Sequence, residues 1–293
     1  MSKILVSGAS GHLGRLVIQN LLESDKVAPS DIVAGSRDTA KLADLAAKGV
    51  ETRRVDFDDA NLAAAFSGID RLLVISTDVL DRPGHRIGQH RAAVAAAKDA
   101  GVGRIYYTSI INPETSLVSF APDHAGTEQA IRESGLAYTI FRNAWYMENL
   151  FMSLPQALAS GSWYTSAGQG RNAHAARGDI ARAIAGALVA PETGNTVYNL
   201  TGPVALTTDE IAALAHEVTG KPLAVVHLTD EQLAGGMKAA GVPEPFIPVF
   251  VSFDANTREG GFDIATKEIE NLSGRAPQDL KSFLEMNKAA LLG

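Results

Sequence analysis

The opening stretch of the chain constrains its fold most, because an apolar run leads directly into three glycines spaced three residues apart. Residues 3–6 predict a β-strand, and the apolar pattern over 13–21 predicts a helix. Gly8, Gly11 and Gly14 lie between them. A strand, a glycine turn and a helix in this order present unpaired backbone N–H groups and the positive end of the helix dipole to an anion. The stretch therefore predicts a pyrophosphate-binding turn, although its spacing differs from G-x-G-x-x-G. The alternative is a strand–helix turn without a ligand.

Strand and helix patterns then alternate through the first half of the chain. The predicted strands are 3–6, 31–37, 50–57, 71–76, 104–110 and 137–142, and helices are predicted at 13–21, 40–48, 60–66, 90–97 and 123–134. The near-continuous apolar run at 71–76 is typical of a strand buried on both faces. This rhythm predicts an α/β fold with a doubly wound (Rossmann), mostly parallel sheet.

The remainder of the chain is less regular. Short strands are predicted within 161–170 and at 196–200 and 224–228, with a helix over 179–188 capped by Asp179, a helix ending near 218, and further helices beyond 228. We therefore expect a nucleotide-binding Rossmann core at residues 1–150, with 171–200 completing it. Residues 151–170 and 201–293 are expected to form a smaller, mixed α/β C-terminal lobe that lies over the carboxyl edge of the sheet.

The end of the second predicted strand indicates which dinucleotide is bound. An acidic residue there would bind the ribose 2′-hydroxyl of NAD, whereas an arginine suits the 2′-phosphate of NADP. Arg37 occupies this place and favours NADP(H), and the alternative is a solvated loop arginine. Asp56, near the end of the third strand, either accepts from the adenine amino group or caps a helix beginning near Asp59.

Composition excludes several classes of partner and chemistry. The 293 residues carry a net charge of −7, which disfavours nucleic acid as a partner. Zero cysteines exclude disulfides, thiolate catalysis and cysteine-ligated metals. The segment 81–89 contains His85, with His90 next to it, but no acidic partner lies at helical spacing, so no metal site is predicted. No signal-peptide or membrane-spanning pattern is present, and we expect a soluble, cytoplasmic monomer or homodimer.

Aromatic and amide side chains follow the sixth predicted strand. Trp145, Tyr146 and Asn149 there are typical of the wall of a ligand crevice, which would take a small aromatic molecule between two lobes. The alternative is that the two aromatic residues only pack between the lobes.

Taken together, the segment Gly8-Ala9-Ser10-Gly11-His12-Leu13-Gly14, Arg37, Ser76 and the run Phe-Arg-Asn-Ala-Trp-Tyr-Met-Glu-Asn at 141–149 resemble the NmrA-like group of atypical short-chain dehydrogenases over nearly the whole chain. The resemblance implies reduction of quinones or cationic dyes by hydride from NADPH. It also implies cofactor contacts along the pyrophosphate, the 2′-phosphate, the ribose and the nicotinamide, from Gly8, Ala9, Ser10, Gly11, His12, Leu13, Arg37, Ser76, Thr77, Asp78, Ile140, Phe141, Arg142 and Asn143.

One departure from the wider dehydrogenase pattern limits the chemistry. Where a Tyr-x-x-x-Lys pair would supply a proton to a ketone, this chain has His124 and Glu128. A quinone needs less help, because its ring stabilises the anion that hydride transfer creates. His124 is the candidate proton donor, and the alternative is a structural histidine paired with Glu128. The favoured function is an NADPH-dependent quinone reductase. The alternatives are a non-enzymatic NADP(H) sensor and a tailoring enzyme for an aromatic natural product.

Overall fold

A computed structural model of the chain describes residues 2–80, 82–191 and 194–293. Its strands are β1 Ile4–Val6, β2 Ile32–Ser36, β3 Glu51–Arg54, β4 Arg71–Val74, β5 Arg104–Ile110, β6 Ala137–Asn143, β7 Ser162–Thr165, β8 Arg171–Asn172, β9 Thr196–Leu200, β10 Leu206–Thr207 and β11 Ala224–His227. Its helices are α1 His12–Glu23, α2 Ala43–Ala46, α3 Leu62–Ala65, α4 His85–Asp99, α5 Ala121–Ser134, α6 Leu154–Ser160, α7 Arg177–Val189, α8 Thr208–Thr219, α9 Asp230–Ala239, α10 Ile247–Arg258, α11 Glu268–Ser273, α12 Leu280–Met286 and α13 Lys288–Leu292. Short 3-10 helices span Pro29–Asp31, Thr39–Leu42, Met147–Met152 and Glu244–Phe246. Asp81, the first residue of the segment considered for a metal, lies outside the described residues.

The framework is a seven-stranded sheet in the order β3-β2-β1-β4-β5-β6-β9, and every neighbouring pair is parallel. The predicted doubly wound α/β class is confirmed. The chain runs outward in one direction from β1 to β3 and in the other from β4 to β9. A crevice opens at the carboxyl ends of β1 and β4, where the order reverses, and such switch points are where α/β sheets bind ligands.

Both faces of the sheet are buried, because alternate residues of each strand point to opposite helical layers. On one face, Val17 and Ile18 of α1 pack with Ile184 of α7 in one apolar cluster. On the other face, Phe66 and Val94 belong to a second cluster that covers the strands from the α4 side. Burial on both sides explains why the central strands β1 and β4 are apolar over most of their length, whereas the edge strand β3 is polar and less buried.

The C-terminal part contributes a third apolar cluster at the edge of the crevice. Leu154 and Leu158 of α6 pack there with Ile211 of α8 and Phe283 of α12. Two small sheets accompany it, with β7 parallel to β11 and β8 antiparallel to β10. Among the described helices, none combines the length and the apolarity that crossing a bilayer requires.

Element boundaries differ from the sequence expectation mainly at helix starts. Helix α4 begins at His85, five residues earlier than predicted, and α7 begins at Arg177 with Ala176 as its N-cap. The expectation that Asp179 caps α7 is wrong. Its carboxylate instead pairs with Arg182 at 2.7 Å and accepts from the Gln278 N–H at 2.6 Å, which ties the first turn of α7 to the segment before α12.

Candidate functional site

The glycine turn after β1 brings helix α1 against the backbone of the turn. Gly8 has a φ of +62°, which side-chain-bearing residues rarely adopt. A Cβ on Gly14 would lie 2.4 Å from the Gly8 oxygen and 2.9 Å from the Ala9 Cα, so only glycine permits this approach. The N-cap of α1 is Gly11, and no side chain caps the helix. The first N–H groups of α1 therefore remain available to an anion, as a pyrophosphate requires.

A cleft of about 300 Å³, here called the glycine cleft, extends from this turn over the ends of β1, β2 and β4. Arg37 lines it at the end of β2. Its side chain is exposed and makes no hydrogen bond or ion pair with any residue that the structure describes. Nearby, the Ser36 hydroxyl donates to the Ser10 hydroxyl at 3.0 Å. An uncommitted guanidinium beside two hydroxyls fits a phosphate monoester.

Asp56 lines the same cleft, and its carboxylate is engaged locally. One oxygen pairs with Arg54 at 2.9 Å and the other accepts from the Asp58 N–H at 3.2 Å. Helix α3 begins only at Leu62 and is not capped by Asp56, so the capping alternative is wrong. A role toward adenine stays a prediction.

The loop after β4 forms the floor of the cleft and is fixed by neighbouring polar groups. The Ser76 N–H donates to the Thr108 hydroxyl at 2.9 Å, and the Thr77 N–H donates to His90 Nε2 at 3.0 Å. Arg86 Nε donates to the Thr77 carbonyl at 2.7 Å. Ser76, Thr77 and Asp78 line both the glycine cleft and a second cavity, so the two spaces meet along this loop.

This second space, the central cavity, has a volume of about 400 Å³. Its walls combine aromatic side chains, Phe120, Trp145 and Tyr146, with polar ones, of which Arg86, His124 and Asn143 are buried and Asn149 and Arg177 are half-buried. It extends from the glycine cleft toward the C-terminal part of the chain. A flat molecule lying here would adjoin the inner end of a dinucleotide in the glycine cleft.

Arg86 and His124 form a buried pair in the wall of the central cavity. Arg86 Nη2 lies 2.8 Å from His124 Nε2, and since a guanidinium only donates, the ring nitrogen accepts. The proton of the neutral ring therefore lies on Nδ1, 2.8 Å from the Tyr107 hydroxyl. Arg86 is also 5% exposed, lies under the Phe120 ring at 5.1 Å and lies 3.6 Å from Asp123. These contacts hold the Arg86 guanidinium, and so its positive charge, in one position.

Burial and the nearby Arg86 charge hold the pKa of His124 well below its ordinary value. The ring is therefore neutral near pH 7, and neither nitrogen presents a spare proton to the cavity. The alternative of a pair with Glu128 is wrong. Burial alone would raise the pKa of Glu128, but hydrogen bonds from Arg142, Ser109 and Arg132 outweigh it and lower that pKa.

The end of β6 contributes less to the cavities than the resemblance implied. Ile140 and Phe141 are fully buried in the core, and Arg142 pairs with the buried Glu128. None of the three lines the glycine cleft or the central cavity. Asn143 does, and its Oδ1 is buried without a hydrogen-bond partner among the described residues. That orphaned acceptor suits a carboxamide N–H.

Trp145, Tyr146 and Asn149 all line the central cavity. Trp145 also packs on Phe253 of α10 with ring centroids 3.7 Å apart, so it serves as cavity wall and as a contact with the C-terminal helices. Tyr146 lies under the Arg177 guanidinium at 4.8 Å, and burial raises the pKa of its phenol. Trp145 therefore packs against the C-terminal helices, as one interpretation of the sequence held, and its contact with a ligand stays a prediction.

Sequence reasoning missed Arg86 and Phe120. Arg86 stands in the segment where the histidines drew attention to metals, and His85 instead lies 3.0 Å from Asp58. The sequence holds no signal for the role of Arg86, because its partner His124 is 38 residues away. Such a pairing is created by the contact between α4 and α5 and has no local pattern.

Comparison with known proteins agrees with this geometry. A profile of the NmrA-like family matches residues 1–285. Quinone oxidoreductase 2 of Escherichia coli is 36% identical over 272 residues, covering 92% of this chain and 93% of that protein. Its NADPH-complexed structure superimposes with a TM-score of 0.92, 35% identity and coverage of 97% and 99%. The NADP(H) complex of triphenylmethane reductase from Citrobacter sp. gives 0.90, 35%, 97% and 99%. An NAD(P)H azoreductase of Xenophilus azovorans is 30% identical over 289 residues, with 98% of each chain covered.

Proposed function

The chain belongs to the NmrA-like family and is an NAD(P)H-dependent oxidoreductase, and we propose that it reduces quinones or similar flat, electron-poor aromatic acceptors with NADPH. The observation that carries the proposal is a pair of adjoining cavities that share Ser76, Thr77 and Asp78 in their walls. A glycine turn and an uncommitted arginine line one of them, and aromatic side chains line the other.

The residues present fit NADP(H). The glycine turn and the uncapped start of α1 would hold the pyrophosphate, and Arg37 with Ser10 and Ser36 would hold the 2′-phosphate. Ser76 to Asp78 lie where the inner ribose would pass, and the unpaired Oδ1 of Asn143 would orient the nicotinamide carboxamide. The bound cofactor supplies hydride.

The class of acceptor follows from the proton donors in the wall of the central cavity. Among the groups that line it in the described structure, no tyrosine–lysine pair lowers a phenol pKa, and burial instead raises that of Tyr146. A ketone would need a proton in step with hydride, whereas a quinone takes hydride to form a stabilised hydroquinone anion, which then takes one proton from water. Positioning of a flat ring between Phe120, Trp145 and Tyr146 supplies rate through proximity.

Arg86 provides the electrostatic part of this proposal. It is a permanent cation in a cavity wall, and His124, the Thr77 carbonyl and Phe120 hold it in place. Negative charge develops on the acceptor oxygens as hydride arrives, and a preorganised cation in a water-poor site stabilises that charge. His124 then acts by orienting Arg86 rather than by donating a proton.

The test is NADPH oxidation by the purified protein with a panel of benzoquinone, naphthoquinone, an azo dye, a triarylmethane dye and a simple aliphatic ketone. We expect acceptor-dependent loss of NADPH absorbance with the quinones, one hydroquinone formed per NADPH, and no turnover of the ketone. Tight NADPH binding without turnover of any acceptor would overturn the proposal and favour a sensor that responds to NADP(H).

A further inference from the structure

A third space, the distal cavity, adjoins the central cavity at Trp145. Its volume is about 270 Å³, and Trp145 and Asn149 line both it and the central cavity. Trp163, Phe250 and Phe253 supply further aromatic walls. The two cavities are therefore adjacent and meet at Trp145 and Asn149.

Three polar side chains of the distal cavity carry hydrogen-bond acceptors without partners among the described residues. His174 is 8% exposed, and its Nδ1 donates to the Asn172 carbonyl at 3.3 Å, which leaves Nε2 as an acceptor with no partner among the described residues. Burial lowers the pKa of His174 to about 4, so the ring is neutral. Asn172 is 6% exposed, and its Oδ1 likewise lacks a partner among the residues described.

Asp254 adds a carboxylate to the same cavity. Its Oδ2 accepts from the Thr165 hydroxyl at 2.8 Å and from the Ser166 N–H at 2.7 Å, and no described residue donates to its Oδ1. Helix α10 carries Asp254 one residue after Phe253, so the carboxylate and the aromatic wall are placed by one element. Hydrogen-bond acceptors that no described residue donates to are places where a bound ligand can donate.

We infer that the distal cavity binds a protonated amine on an arm of the acceptor, while the acceptor's reducible ring lies in the central cavity. An ammonium group has three donors and no acceptor, which matches Asp254 Oδ1, His174 Nε2 and Asn172 Oδ1. Aromatic faces on Trp145, Trp163 and Phe253 attract a desolvated cation. The inference rests on the proposed function only for the identity of the reducible ring, since amine binding is measurable without turnover.

The experiment compares two naphthoquinones that differ in one terminal group: one carries an aminopropyl arm and the other a butyl arm of equal length. Both tryptophans of the chain line the distal cavity, so quenching of intrinsic fluorescence in NADP⁺-loaded protein reports binding directly. A charge-assisted hydrogen bond predicts that the amine binds at least about tenfold more tightly than the alkyl arm. Equal dissociation constants for the two arms would overturn the inference.

Two variants locate the effect. Asp254→Asn keeps the shape of the side chain and removes its charge, and we expect the amine-to-alkyl affinity ratio to fall to about one. The matched control, Glu259→Gln, removes one charge from an exposed carboxylate just after α10 and outside the cavity, and it should keep the ratio. An unchanged ratio in Asp254→Asn, with Tm and NADPH binding intact, would contradict the site.

A second variant, which fills part of the distal cavity, tests the inference even if Asp254→Asn fails to fold. Val242→Trp narrows the distal cavity from its wall and should weaken both arm-bearing compounds relative to plain naphthoquinone. Equal effects on all three compounds would also overturn the inference. If the wild-type protein does not turn over plain naphthoquinone, the proposed function is contradicted. The fluorescence titrations then still decide whether the distal cavity binds an amine.

Discussion

At the scale of single residues, Arg37 is the side chain that we propose selects NADPH over NADH. Replacing it with alanine should weaken NADPH binding by about 10- to 100-fold, because a charge-assisted contact with the 2′-phosphate is lost. NADH lacks that phosphate, so its affinity should change little. Titration of the variant with both cofactors checks the prediction, and equal losses for the two would contradict the role.

The control for Arg37 is Arg15→Ala. Arg15 is a similarly exposed cation on α1, but Asp44 at 2.8 Å engages its guanidinium, and it does not line the glycine cleft. Its removal should leave the NADPH-to-NADH preference as in the wild type.

Arg86 carries the second residue-scale prediction. Arg86→Met keeps a side chain of similar length and removes the charge, and we expect kcat/KM for a quinone to fall by about 10²-fold. Arg91→Met, which removes an exposed charge on the same helix, is the matched control. NADPH affinity is measured alongside, because Arg86 also holds the Thr77 carbonyl. If Arg86→Met turns over the quinone as fast as the wild type, the Arg86 charge does not contribute to the rate, and positioning of the acceptor is the remaining explanation.

At the scale of elements, the approach of α1 to the glycine turn is the contact on which the cleft depends. Gly14→Ala places a Cβ against backbone atoms of Gly8 and Ala9 that cannot move without shifting the turn. We expect the free energy of unfolding to fall by about 2–3 kcal/mol and NADPH affinity to fall at least about tenfold.

Gly88→Ala is the matched control for Gly14→Ala. Gly88 lies inside α4, and a Cβ there meets no atom within 4 Å. Alanine should stabilise the protein by about 0.5–1 kcal/mol through helix propensity and leave NADPH binding unaltered. Chemical denaturation and cofactor titration of both variants measure the difference, and similar losses in the two would show that the close packing at Gly14 is unimportant.

The elements that the sequence predicts well are those whose signal is local. The strand at 104–110 matches β5 residue for residue, because its residues are all buried and are mostly β-branched or aromatic types that favour strands. Helix α7 was mispredicted at its start because Asp179 resembles a cap, whereas Arg182 and the Gln278 N–H, which is 99 residues away, take its carboxylate. The short strands β8 and β10 were missed, since two residues carry no periodicity.

In the candidate site, too, the features with a local sequence signal were predicted and those created by long-range contacts were not. The sequence predicts the position of the glycine turn and of Arg37 correctly, because both follow directly from where β1 and β2 end. The Arg86–His124 pair forms only because α4 packs on α5, so no residue spacing in the sequence predicts it. For the same reason the sequence suggested a proton-donating His124, while the structure shows a nitrogen already accepting from a guanidinium.

At the scale of the whole molecule, three buried histidines link stability to pH. Burial is the main cause that lowers the pKa of His90 to about 3 and of His174 to about 4, and it lowers that of His124 well below its ordinary 6.5. Below pH 6.5 the unfolded chain binds protons that the folded protein does not, so stability falls as pH falls. Asp254 and Glu268, whose pKa values burial raises, oppose this trend at lower pH.

Denaturant unfolding between pH 7 and pH 5 should therefore show a loss of about 2 kcal/mol for each buried histidine, with full stability present above pH 6.5. His174→Gln removes one titrating ring and should reduce the total loss by about a third. A pH-independent free energy of unfolding over this range would mean that the rings take up protons in the folded state. Arg86 could then no longer donate to His124, and the positioning role assigned to that pair would fail with it.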